Sequence, residues 1–192
     1  MNEPIKEFTT SVPSWQPRVT PLEIERASDA QLDAMKVTVS NTKIGEYTLV
    51  LALDPETLQQ RTPLFNGIMY GRGGLSRAET ELGAVAASVV NRCIYCAAVH
   101  ADRYNQLTDD ESVMDSILSE DETTRLNDRQ IALLEFATNL SKSPSEATTS
   151  NMERLVENGL SMSEVLDLIL SASLFGWANR LMHVLGDPLT QG

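Results

Sequence analysis

Cysteine is scarce in this chain: there are two in 192 residues, Cys93 and Cys96, both inside one four-residue span. A scaffold stapled by several disulfides would spread its cysteines over distant segments, so that class is excluded. Basic residues are also few, 15 against 27 acidic ones, for a net charge of −12. A surface that negative repels phosphate backbones and anionic lipid, and no basic run offsets it. Neither nucleic acid nor a membrane surface is therefore an expected partner. Long hydrophobic runs are missing. Even VLDLILSASLF is broken by Asp167 and two serines, so no segment is expected to cross a bilayer. The opening MNEPIKEFTT lacks the charged start and apolar stretch of a signal peptide. These absences predict a soluble protein of the cytoplasm. Strand pairs joined by turn dipeptides are missing too, and the sole β-leaning patch is Lys36-Val37-Thr38-Val39.

What is present is a repeated helix-opening pattern: a capping residue, Glu or Gln three positions later, then apolar residues at helical spacing. Thr20-Pro21-Leu22-Glu23, Asp54-Pro55, Ser76 to Glu79, Asn127 to Gln130, Ser150 to Glu153 and Ser161 to Glu164 all fit it. Gly159 and Gly186 stand where helices should end. Residues 1–20, with Pro4, Pro13, Pro17 and Trp15, read as an extended arm whose tryptophan anchors on this subunit or a neighbour. Residues 21–192 read as a single all-α domain of seven or eight helices. Asn91-Arg92 is echoed by Asn179-Arg180, and Leu75-Ser76 by Leu126-Asn127; two dipeptides are too little to establish a duplication.

The chemistry concentrates between Leu75 and Leu107. With Cys93 in the first turn of a helix and Asn91 before it as a cap, Cys93, Cys96, His100, Tyr104 and Leu107 fall along one helical face. His100 is then one turn beyond Cys96, in reach of its proton directly or through a water. The helix N-terminus favours a thiolate. Glu81, on the preceding helix, lies beside the apolar stripe of Ala78, Leu82, Val85 and Val89. A carboxylate turned inward needs a partner, and His100 or a thiol would serve. The plainer alternatives are two cysteines packed as small hydrophobes, a structural histidine and an exposed Glu81. Zinc is the chemical rival, but a structural site needs four ligands, and the chain offers only Cys93, Cys96, His100, Glu81 and the distant His183. His183 itself reads as structural or surface, Tyr104 as a pocket wall, and Phe175 and Trp177 as core or interface. Gly71, Gly73 and Gly74 read as a turn between helices rather than a phosphate cradle.

Glu81, eleven residues, Cys93, two residues, Cys96, three residues, His100 resembles the active-site signature of the alkylhydroperoxidase D-like branch of the carboxymuconolactone decarboxylase superfamily. The region around Asp54-Pro55 and the closing FGWANRLMHVLGDP are similar to its longer peroxidase-related subfamily, extending the likeness over about residues 21 to 188. The resemblance implies an all-helical AhpD-like bundle that assembles as a trimer or hexamer and reduces hydrogen peroxide or organic hydroperoxides. It implies no bound metal or organic cofactor. Glu81 and His100 would relay a proton from Cys96, Cys96 would attack the peroxide, and Cys93 would close the disulfide. A dithiol such as lipoamide or thioredoxin would then reduce it. Helix electrostatics alone favours Cys93 as the more acidic thiol. The sequence departs from the best-known members at Tyr95, where they carry histidine; a tyrosine donates a hydrogen bond but does not shuttle protons near neutral pH. A redox-sensing or disulfide-exchange protein, and a decarboxylase-like lyase using Glu81 and His100, are the alternatives.

Overall fold

The computed structural model describes residues 3–36, 44–119 and 125–190. The chain begins with a short strand, β1 (Ser14–Pro17), and a 3-10 turn at Ile24–Arg26. Nine α-helices follow among the described residues: α1 (Asp29–Ala34), α2 (Glu46–Leu51), α3 (Pro55–Tyr70), α4 (Arg77–Val90), α5 (Ile94–Thr108), α6 (Ser112–Leu118), α7 (Asp128–Ser141), α8 (Thr149–Glu157) and α9 (Met162–Leu185). A last strand, β2 (Gly186–Leu189), closes the described chain. The fold is all-α. The count exceeds the seven or eight expected because α1, α2 and α6 are only six or seven residues long, too short to show a helical period.

Asp54, Ser76, Asn127 and Ser161 cap their helices as read from the sequence. Two starts differ. Thr20-Pro21 opens no helix; the first α-helix begins after Ser28, whose hydroxyl and Gln31 form a reciprocal capping box. The helix placed at Ser150 begins earlier, capped by Thr148 with Asn151. Gly159 does end α8: its φ is +82°, and the Gly159 and Leu160 amides bond back to Val156 and Leu155. Gly186 ends α9 for another reason. Its backbone is extended, and a Cβ there would collide with the Trp15 ring.

That contact belongs to a feature not expected from the sequence. β1 pairs antiparallel with β2, Trp15 opposite Pro188, joining the two ends of the chain. No turn dipeptide announces this pairing, because the strands are separated by the whole helical domain. Trp15 anchors on its own subunit, edge-on to Tyr47 at 5.6 Å. Arg18 bonds the His183 carbonyl and the Asp187 carboxylate. The β-leaning patch at Val37-Thr38-Val39 lies outside the described residues.

α4 is the hub, with Leu82, Ala84, Val85, Ala86 and Ala87 fully enclosed. It packs against α5, α7 and α9. Gly83 lets α9 approach closely: a Cβ there would press on Leu168 and Ser171. α9 corrects a further expectation, since its 24 residues are long and apolar enough to cross a membrane by length and composition. Here it is the core helix of the bundle, burying Val165, Leu168, Ala172, Phe175, Ala178 and Met182. Asp167, which interrupts its apolar run, accepts a hydrogen bond from the Leu75 backbone at 2.9 Å, in space that only a glycine at position 74 leaves open. The Gly71–Gly74 stretch is thus an interhelix turn.

Candidate active site

The site lies where α4 turns into α5. The α4 helix ends on Asn91, and Arg92 follows at φ +56°. The Arg92 and Cys93 amides bond back to the Val89 and Ser88 carbonyls, closing the helix end with a non-glycine residue in the left-handed conformation. Cys93 emerges from this turn as the N-cap of α5. Asn91 therefore finishes the helix before the site rather than starting the one that carries it, a correction to the sequence reading. His100, one turn beyond Cys96, and Tyr104 continue along α5. Leu107, expected on the same face, is exposed, because α5 outlasts the core there.

Glu81 is fully buried, and its Oε2 lies 2.5 Å from His100 Nδ1. Its other oxygen pairs with Arg77, one turn earlier on α4. With Nδ1–H donating to the carboxylate, Nε2 is left as the acceptor on the imidazole. Phe175 of α9 stands edge-on to that imidazole, centroids 4.3 Å apart, and fixes the ring plane. No direct hydrogen bond joins His100 to either sulfur among the described residues, so the contact of Glu81 is with the imidazole and not a thiol.

Both cysteines are reduced and buried. Their acidities are driven apart. Cys93 lies below the ordinary thiol value, first because the Cys96 thiol donates to its sulfur, with the Cys96 backbone N–H and the Asn179 amide adding to this against the cost of burial. Cys96 lies well above it, because it donates to Cys93, is buried, and faces a neighbouring thiolate. Cys93 is thus the more acidic of the two thiols. Tyr95 is pushed up by burial and by both sulfurs, which leaves its phenol protonated.

Asn179 was not picked out by sequence reasoning as part of the site. It is fully buried on α9, donates to Ser88 Oγ at 3.1 Å, and accepts from the Asn91 side chain at 3.3 Å. The Asn91/Asn179 echo is a contact. The available signal was a polar residue inside the apolar α9 period. Arg77 was missed as well, though its i,i+4 spacing to Glu81 was legible. Tyr104 is a core residue whose hydroxyl accepts from Gln130 at 2.8 Å. His183 is structural, its Nε2 2.7 Å from the Asn91 carbonyl at the α4 end. No three metal-ligating side chains gather among the described residues.

Residues 55–139, α3 through most of α7, match the carboxymuconolactone decarboxylase family. Over that segment the chain is similar to the carboxymuconolactone decarboxylase family, and its all-α fold is AhpD-like. Its fold is similar to that of an alkylhydroperoxidase AhpD core, a peroxidase-related protein from Ralstonia eutropha JMP134. The TM-score is 0.78 at 24% identity, over 88% of this chain and 90% of that one. A peroxidase-related protein from Silicibacter sp. TM1040 superposes with a TM-score of 0.68 at 23% identity, over 93% and 91%. The debrominase Bmp8 has the same fold, TM-score 0.73 at 17% identity, over 92% and 94%. The AhpD-like fold thus carries more than one chemistry. No curated protein sequence matches this AhpD-like chain.

Proposed function

We propose that this AhpD-like chain is a dithiol peroxidase of the cytoplasm. The observation that carries the reading is the buried Glu81–His100 pair, 2.5 Å apart, on the same turn-linked helices as two adjacent reduced cysteines. Loss of the Cys96 proton, with the imidazole and its carboxylate as base, gives a thiolate that attacks the terminal oxygen of a hydroperoxide. The S–O bond forms as the O–O bond breaks, leaving Cys96 as a sulfenic acid and releasing an alcohol or water. Cys93, already the more acidic thiol, attacks that sulfur, expels water and closes the disulfide. A small or protein-borne dithiol such as lipoamide or thioredoxin then returns both thiols.

One equivalent of hydrogen peroxide or cumene hydroperoxide should remove both titratable thiols and lower the chain mass by two hydrogens. Two thiols surviving a tenfold excess of either peroxide would defeat the proposal. The AhpD-like chain is also proposed to be a homo-oligomer, a trimer or hexamer. Met162, Leu166, Leu170, Trp177 and Val184 form an exposed apolar stripe along α9 of the kind that a second copy covers. Light scattering at the mass of a single chain would remove this part.

A further inference from the structure

A cavity that touches one of the two thiols lies on the far side from the relay. It has a volume of about 180 Å³, and Arg92, Cys93 and Tyr95 line it together with His183 of α9 and with Trp15 and Arg18 of the N-terminal arm. Cys96, Glu81 and His100 do not line it. The paired chain ends form its cover. Ile5 and Pro188 line it too, and the Ile5 amide donates to the Pro188 carbonyl at 2.9 Å, while Trp15 stands opposite Pro188 in the β1–β2 ladder.

Size and charge say what this space accepts. Its volume is below the roughly 300 Å³ at which pockets for drug-sized ligands begin, so it suits a slender group of a few heavy atoms and not the loop of a folded partner. Two arginines and one carboxylate line it. Arg18 and Asp187 hold each other, with Arg18 Nε 2.9 Å from the carboxylate. Arg92 is exposed, lies over the Phe8 ring at 5.1 Å, and pairs with no carboxylate among the described residues. A positive charge without a carboxylate thus directly precedes the cysteine that the cavity reaches, in a chain whose net charge is −12.

We propose that this cavity is the entry for the reductant, and that it admits a small carboxylate-bearing thiol whose sulfur attacks Cys93 of the oxidised chain while its carboxylate meets Arg92. The inference rests on the disulfide of the peroxidase reading and deepens it by naming the sulfur attacked and the class of thiol. The incoming thiolate bonds to the Cys93 sulfur, the Cys93–Cys96 bond breaks, and its electron pair departs on Cys96, which takes a proton from the imidazolium or water. A second thiolate attacks the sulfur of the bound thiol, releasing Cys93 and a small disulfide, so two thiols are oxidised as the chain regains two. Cys96 is a workable leaving group in this step. Its bond to Cys93 and the charge of that neighbour, two of the causes that hold its acidity down, are gone once Cys93 is in the mixed disulfide. Oxidant and reductant then use opposite sides of the thiol pair, the peroxide at Cys96 and the thiol at Cys93.

The test takes the full chain as wild type, Arg92→Gln and Arg92→Lys, each closed to the disulfide with diamide, which needs no peroxidase activity. Reduction is followed with 3-mercaptopropionate, 2-mercaptoethanol and cysteamine. Each rate is divided by that of the same thiol with a neutral small disulfide, which removes intrinsic differences between the thiols. The anionic thiol should be favoured over the cationic one by about fivefold at low salt, against the charge of the chain as a whole. Added salt should erode that preference, Arg92→Gln should abolish it, and Arg92→Lys should keep most of it. Alkylation with N-ethylmaleimide at short times should place mercaptopropionate on Cys93 and maleimide on Cys96. The reverse placement would overturn the proposal, as would a charge preference that Arg92→Gln leaves unchanged. So would reduction by thioredoxin alone, with the small thiols inert, or diamide leaving both thiols free. If diamide closes the disulfide and the thiols open it as expected, yet no hydroperoxide closes it, the peroxidase reading falls and the thiol entry stands.

Discussion

Cys96→Ser is expected to abolish hydroperoxide turnover, a fall of about a thousandfold or more, because the attacking sulfur is gone and no other group replaces it. Cys93→Ser is expected to fail differently. The first oxidation of Cys96 should still occur, but with no partner sulfur the chain gains the mass of one oxygen and is trapped by dimedone. Disulfide closure, with its loss of two hydrogens, is no longer possible. The opposite pattern, dimedone capture on Cys93 in the Cys96→Ser chain, would reverse the two roles. The wild-type chain supplies an independent check through pH. Cys93 lies below the ordinary thiol value and Cys96 well above it. As pH rises, Cys93 therefore deprotonates first, and iodoacetamide should label it at lower pH than Cys96. Labelling of both sulfurs in parallel would show that the thiol–thiolate hydrogen bond is absent. This division of labour suits the cycle: the more acidic thiol resolves, while the thiol that must be activated by a base does the attacking.

Replacing Glu81 should separate a structural effect from a chemical one. The carboxylate is fully enclosed and faces two basic side chains, Arg77 and His100. Glu81→Ala leaves the Arg77 guanidinium without its counter-charge in the bundle interior. The expected loss is about 3–5 kcal/mol of stability by denaturant titration. Glu81→Gln keeps the shape and a hydrogen-bond acceptor but removes the charge that balances an imidazolium. It should fold, with turnover reduced by about 10² to 10⁴ and the pH–rate profile altered. A Gln variant as active as wild type would show that the carboxylate only holds α4 against α5. An Ala variant as stable as wild type would show that Arg77 finds another partner at no cost.

Much of this was legible from local pattern. Ser76 with Glu79, Asn127 with Gln130 and Ser161 with Glu164 satisfy the first backbone amides of their own helices, so their helix starts follow from three-residue spacing. The candidate site was legible for a related reason. Cys93, Cys96 and His100 lie on one helix, where sequence separation dictates the shared face. Glu81 could be added because a carboxylate beside an apolar stripe must be paired. Failures occurred where a residue's role is set by something distant. Asn91 looked like a cap for α5, but the left-handed Arg92 lets it finish α4. α9 looked too interrupted to have the length and hydropathy of a membrane-crossing segment, which it has. Asp167 and Asn179 are tolerated within it only because Leu75 and Ser88, from other elements, bond to them.

The sequence alone determined that the chain is helical, where most helices begin, and that two thiols and an imidazole share one face, since all of these depend on neighbours within a turn or two. Only the tertiary structure decided that Glu81 meets His100 rather than a thiol, that Asn179 supports both sulfurs, and that Cys93 is the more acidic. It also decided that strands near the two chain ends pair. Those outcomes depend on which groups burial deprives of water and which partners the packing of distant helices then supplies, and no local spacing encodes that.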